Sequence, residues 1–217
     1  MTQHSTQQPP DNRLTQLKEW LQHTTPSMGI ALETLEPASS DASFRRYFRV
    51  KAHDRTLIVM DAPPTQENCE PFLHVTALLR DVGLNVPTIL AQNLQHGFLL
   101  LSDLGPQTYY QAIQTGLADA VLQARYKEAL SALATMQTAQ TSGLPFYDKP
   151  RMLTELSLFP EWYVERHCNA TLTEQEKDDL DKLFQTLVND NVRAEKVLVH
   201  RDFHSPNLML CTKPRFG

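Results

Sequence analysis

The stretch VLVHRDFHSPNLML, residues 197–210, sets two histidines, an aspartate and an asparagine between apolar runs. An aspartate on such a loop can take the proton of an attacking hydroxyl, and an asparagine oxygen close behind it can hold a hard cation. Taken singly, each of these residues reads most simply as part of a polar turn between buried strands. Together they point to chemistry. His200 and His204 have the spacing of a helical zinc pair, but Pro206 argues against a regular helix and no H-E-x-x-H pattern accompanies them. A serine hydrolase would want G-x-S-x-G after a strand, and that is absent, as are Walker A and G-x-G-x-x-G sequences.

His200-Arg201-Asp202 followed by Asn207 fits the H-R-D-x-x-x-x-N pattern of kinase catalytic loops. In that pattern Asp202 is the base and Asn207 holds Mg²⁺ against nucleotide phosphates. The loop needs a strand on either side, and the runs VLV and LML are the candidates.

The elements that must position this loop can be read from periodicity. Leu14, Leu17, Trp20 and Leu21 recur at helical spacing, which predicts an amphipathic helix over about 11–24. From Ile30 to Met60 the pattern becomes strand-like in three runs, IALETLE, FRRYFRV and TLIVM. Ser39–Ser40 with Asp41, and His53–Asp54, mark the turns between them, and Asp61-Ala-Pro-Pro ends the third run. Phe72, Val75, Leu79 and Val82 predict a helix stopped by Gly83, and TILAQ and GFLLL predict two further strands. The first half therefore reads β-β-β-α-β-β, an antiparallel sheet with one inserted helix.

After Gly105 the pattern turns helical. Leu122, Tyr126, Ala129, Leu133 and Met136 form a stripe, and SGLPFYDKP, residues 142–150, reads as a loop. Residues 151–167 predict a helix that Pro160 kinks or divides. Thr173 with Glu176 is a capping box, opening a helix with Leu180, Leu183, Phe184, Leu187 and Val188 on its buried face.

With 217 residues, 41% of them hydrophobic, the chain can bury a substantial core as one or two lobes. A formal net charge of −5 leaves no basic footprint, so nucleic acid is not an expected partner. No apolar run approaches the roughly 20 residues of a membrane span, and the polar start MTQHSTQQPPDN shows no secretion signal. Three widely spaced cysteines, Cys69, Cys168 and Cys211, suit a reducing compartment. The expectation is a cytoplasmic protein with no membrane partner and an oligomeric state left open.

HRDFHSPN resembles the phosphotransferase loop of the aminoglycoside phosphotransferase-like kinases, in which a histidine, here His204, follows the aspartate by two positions. That histidine favours a small-molecule substrate. SDASFRRYFRV, LIVMDAPP, GLNVPTIL, GFLLLSDLG and LFPEWYV resemble more narrowly the bacterial anomeric kinases of N-acetylmuramate and N-acetylglucosamine that serve cell-wall recycling. The likeness runs from about Ser39 to Leu210.

The resemblance implies an α+β, protein-kinase-like fold with two lobes: residues 1–28 a tail and helix, 29–105 the nucleotide-side lobe, and 106–217 an incomplete helical lobe carrying the catalytic loop 200–207. It implies ATP and Mg²⁺ as cofactors and an amino sugar as substrate. Asp202 would be the base, His200 a support for the loop, and Asn207 a metal ligand. The backbone at Ser102 and Leu104 would meet adenine. Ser43, Arg45 and Arg49, on the glycine-free run SDASFRR and the strand after it, would meet phosphates. Glu161 and His204 would face the sugar. Each has an ordinary alternative: an edge strand entering a turn, a solvated basic edge, an aromatic core helix.

The sequence departs from that pattern in two ways. Met60 stands where the family carries the phosphate-contacting lysine, and His74 stands at its partner glutamate's position, with Glu67 and Glu70 nearby. The chain also ends at Gly217 before the acidic residue that supplies the second metal ligand. The alternatives are a kinase of another small alcohol (an aminoglycoside, choline or homoserine) or a non-catalytic nucleotide-binding protein.

Overall fold

A computed structural model describes residues 11–40 and 43–211. Helix α1, Asn12–Thr24, begins where the Asp11 carboxylate accepts from the Leu14 N–H, an N-cap that satisfies one of the otherwise unpaired first-turn donors. Strands β1 (Ile30–Ser40), β2 (Arg46–Ala52) and β3 (Arg55–Asp61) follow as antiparallel neighbours. Helix α2, Glu70–Asp81, then precedes β4 (Ile89–Asn93) and β5 (Phe98–Ser102). The five strands lie in the order β1-β2-β3-β5-β4, and β4 and β5 are also antiparallel. The expected β-β-β-α-β-β order is the one observed.

Alternation explains how the sheet is filled. Phe48, Val50, Leu57, Val59, Phe98 and Leu100 point to one face, where Leu17 and Leu21 of α1 seal them. Met60, Leu99 and Leu101 point to the other, against Cys69, Phe72 and Leu73 at α2. The run Phe98-Leu-Leu-Leu is buried throughout because helices cover both faces of its strand. Deleting a fully buried leucine such as Leu17 costs about 2–5 kcal/mol, so α1 is part of the core. Pro37 lies in β1, where it is tolerated because β1 is an edge strand.

Two glycines are required by geometry. Gly83 (φ +78°) ends α2: its N–H donates to the Arg80 carbonyl, and the Leu84 N–H reaches back to Leu79. Gly97 (φ +72°) accepts the Ala62 N–H at its carbonyl oxygen, and a Cβ there would lie 1.8 Å from the Ala62 oxygen.

The helical half begins with α3, Tyr109–Gln114, whose capping box joins Thr108 and Gln111, and α4, Asp119–Met136. Helix α5, Lys149–Leu156, is capped by Asp148, and a π-helical segment, Phe159–His167, follows it. Helix α6, Glu174–Asn191, opens on the Thr173–Glu176 capping box. The chain divides into two compact units, residues 1–136 with 202–217, and residues 137–201. In the first unit, residues 208–210 form a backbone clasp on the entry to α3. The Tyr109 N–H donates to the Leu208 carbonyl and the Leu210 N–H donates to Gln107.

Several expectations need correction. Ser39–Ser40 belong to β1 rather than to a turn, while Asp41 lies outside the described residues. The VLV and LML runs are not strands among the described residues: a strand is defined by its ladder, and only Met209 makes a bridge, to Thr108. Helix α5 starts at Lys149, inside the expected loop, because Asp148 caps it and Pro150 fits a first turn. Pro160 does divide the 151–167 helix, and its second part is π-helical. On α6 only Phe184 and Val188 are buried, with Leu183 and Leu187 exposed, and Tyr126 of α4 is exposed too. Each lies on the predicted stripe, but nothing described covers that part of it.

Candidate active site

Arg201 takes a left-handed backbone (φ +70°) that turns the chain sharply into Asp202. In the second unit, its guanidinium bonds Glu155 of α5, which also accepts from the Tyr147 hydroxyl at 2.5 Å. The bond from Tyr147, with that from Arg201, holds the Glu155 carboxyl below its usual range against the opposing effect of desolvation. The expectation omitted this anchor. The exposed His200 stands just before it, ahead of the turn.

In the first unit, the Asp202 carboxylate is held on both oxygens. His204 Nε2 lies 3.0 Å from Oδ1, and Asn207 Nδ2 donates to Oδ2 at 2.6 Å and to the Asp202 carbonyl at 3.1 Å. The geometry follows from a short 3₁₀ turn, Ser205–Asn207, with Pro206 in its first positions, which folds Asn207 back onto Asp202. Asp202 nonetheless remains 70% exposed, so a solute can approach its carboxylate. Because the Asn207 amide nitrogen faces Asp202, its oxygen faces away, as a hard cation would require. That oxygen is a single neutral donor of the kind Mg²⁺ accepts. No group of three or more metal-binding His, Cys, Asp or Glu residues occurs among the described residues.

On the sheet, Ser43 Oγ accepts from the Arg45 N–H, and Glu67 ties down the same turn. The Glu67 carboxylate accepts from the Phe44 N–H at 3.2 Å and from Arg45 Nε at 3.1 Å. Met60 is fully buried in the α2 cluster, and His74 is exposed on α2. Arg49 donates to both oxygens of Asp103, at 2.7 and 3.1 Å, and to the Gly105 carbonyl at 3.0 Å. Burial alone would raise the Asp103 carboxyl, but bonds from Arg49, Thr56 and the Gly105 N–H hold it below its usual range. Ser102 exchanges two bonds with Thr88, using its N–H and its Oγ, whereas Leu104 lies beyond β5 and outside the ladder.

A further carboxylate, Asp61 at the end of β3, has no exposed side-chain surface and is clasped by Arg13 of α1 and Arg46 of β2. The short Asp11–Arg46 contact extends this network. The sequence marked Asp61 only as a strand end, since its partners lie far away in the chain. In the second unit, Glu161 pairs with Arg166 at 2.8 Å, five positions on as the π-helical period dictates. Arg166 lies over the Trp162 ring at 3.9 Å, and Phe159, Tyr163 and His167 form a stacked row.

An antiparallel sheet with one inserted helix, followed by helices and an Asp-x₄-Asn loop, defines a protein-kinase-like phosphotransferase fold of the aminoglycoside phosphotransferase type. A family model described as the phosphotransferase enzyme family (APH) matches residues 34–217, and the chain belongs to that family. It is 45% identical over 208 residues to the N-acetylmuramate/N-acetylglucosamine kinase of Pseudomonas aeruginosa, covering 92% of this chain and 60% of that protein. The enzyme of the same name from Pseudomonas putida is 41% identical, with 93% and 61% covered. That from Neisseria meningitidis serogroup B is 38% identical, with 94% and 60% covered. The chain thus spans about three fifths of the length of these relatives.

Among solved structures, the streptomycin–ATP–APH(2″)-IIa ternary complex matches with a TM-score of 0.57 at 16% identity, covering 95% of this chain and 68% of that one. ADP-bound aminoglycoside phosphotransferase APH(2″)-Ib gives the same TM-score and identity, with 94% and 67% covered. At that identity the likeness concerns the fold.

Proposed function

We propose that the protein is an ATP-dependent cytoplasmic kinase that phosphorylates the anomeric hydroxyl of N-acetylmuramate or N-acetylglucosamine, as a step in cell-wall recycling. The observation that carries the reading is Asp202, exposed to solutes yet fixed on both oxygens by His204 and Asn207. The names of relatives 38–45% identical to this chain supply the acceptor.

In this reading Asp202 takes the proton of the C1 hydroxyl as its oxygen bonds to the γ-phosphorus and the bond from that phosphorus to ADP breaks. Asn207 would hold Mg²⁺ through its amide oxygen, and the metal would neutralise charge on the phosphates. His204 orients the base and stands beside the acceptor, and His200 supports the loop before it. Most of the rate enhancement comes from positioning and electrostatics. With Met60 buried in the lysine's place, phosphate charge falls to Arg45, with Ser43 beside it. Leu104 offers the backbone groups for adenine, since the Ser102 N–H is already given to Thr88. Glu161 and the aromatic row from Phe159 to His167 are suited to sugar hydroxyls and ring faces.

The test is a coupled ADP-release assay with Mg²⁺-ATP. N-acetylmuramate should be turned over, and its 1-O-methyl glycoside should be inert because it lacks the attacking hydroxyl. Equal rates on both would move the acceptor to another hydroxyl.

A further inference from the structure

We propose that Arg49 and Asp103 are positioning residues that fix the turn after β5 for adenine, and that Arg49 is not a ligand of the nucleotide phosphates. The inference rests on the kinase reading above and deepens its nucleotide side.

Arg49 commits both Nε and Nη2, and its anionic partner is a buried one. The Asp103 side chain is only 5% exposed, and each of its oxygens accepts two bonds. Oδ2 takes Arg49 Nε and the Thr56 hydroxyl, the latter at 2.6 Å; Oδ1 takes Arg49 Nη2 and the Gly105 N–H at 2.9 Å. Moving the guanidinium to a phosphate would strand that carboxylate without its cation, which is strongly unfavourable in a buried site.

The position of the pair suggests what it does. Arg49 lies opposite Ile58 in β3, and Ile58 lies opposite Leu101 in β5, so the row ends one residue short of Ser102. From there Arg49 reaches past the strand end to the Gly105 carbonyl. Gly105 has φ +118°, and a Cβ on it would stand 3.3 Å from the Leu210 carbonyl, in the segment that follows the catalytic loop. The turn 103–105 is thus tied to β2 by Arg49 and to β3 by Thr56, and it lies close against residue 210. Backbone groups that bond a flat base work only when held to a fraction of an ångström, and this brace supplies that restraint.

The experiment titrates ATP and adenosine separately, with melting curves to confirm folding. Arg49→Lys keeps the charge but loses the two-pronged fork, and Asp103→Asn keeps the shape but loses the anion. A brace predicts that both variants weaken adenosine and ATP by the same factor, about tenfold or more, the scale of lost bonds to charged groups. A phosphate ligand predicts otherwise: Arg49→Lys would retain ATP, and Asp103→Asn would bind ATP more tightly because the arginine is released. Either of those outcomes, or unchanged binding of both ligands, overturns the inference. If the unaltered protein binds neither ligand, the kinase reading itself fails.

Discussion

His204 Nε2 stands 3.0 Å from one oxygen of Asp202 while Asn207 occupies the other, so the exposed carboxylate is held in one orientation. If that carboxylate is the base, Asp202→Asn should lower kcat by at least about 100-fold, the lower end for general-base catalysis. ATP affinity should change little, because Asp202 faces the acceptor. Steady-state kinetics with a separate ATP titration check this, and near-normal turnover would remove the assignment.

Arg45 leaves the turn that Glu67 pins, and it is the cation we assign to the phosphates. Arg45→Ala should weaken ATP far more than adenosine, since only ATP carries the charge. Parallel titrations decide, and equal weakening would return this turn to a solvated basic edge.

Asp61 sits without exposed surface between Arg13 and Arg46. Removing it takes the shared anion from Arg13 and leaves Arg46 with Asp11 alone, so Asp61→Ala should destabilise the fold by about 1.5–3 kcal/mol, the scale of lost bonds to a charged group. Arg13→Ala should cost less, because Arg46 still neutralises the carboxylate. Denaturant midpoints for the two variants give the comparison, and a smaller loss for Asp61→Ala would contradict it.

Asp103 gives a pH signature. Its folded carboxyl lies below the ordinary range, so the stability it contributes is present above the unfolded value of about 3.9 and is lost as pH falls through the lower folded value. The stability gap between the unaltered protein and Asp103→Asn should therefore be full near neutrality and close below about pH 4. A gap that stayed constant through the acid range would refute the charged pairing with Arg49.

Local signals carried most of the fold. Alternation in β2, β3 and β5, the Thr173–Glu176 capping box, Gly83 and Pro160 all act within a few residues, and all were legible. So was a capping box that went unread, Thr108 with Gln111, which opens α3. What could not be read depends on distant partners. Asp61 meets Arg13 and Asp103 meets Arg49 only once the sheet has formed. Periodicity identified Leu183 and Leu187 as sharing a face with Phe184 and Val188, but it could not say what would cover them. The Val197–Val199 run had strand composition but pairs with no strand among the described residues. That Asp202, His204 and Asn207 come together was legible because their spacing is local, whereas Arg201's anchor on Glu155 was not.

The clasp between Gln107–Tyr109 and Leu208–Leu210 joins segments roughly a hundred residues apart, with the whole second unit strung between them. Closing so long a loop gains its few backbone bonds only after the intervening chain has compacted, which places it among the later contacts to form. During synthesis the sheet and α2 leave the ribosome first and can condense from near-neighbour strand pairs, while Asp202 and Asn207 emerge roughly a hundred residues after β5. A newborn chain thus acquires its five-stranded sheet well before the Asp202–Asn207 loop is in place. Pulse-labelled amide protection should then develop in β2 and β3 ahead of Tyr109 and Leu210.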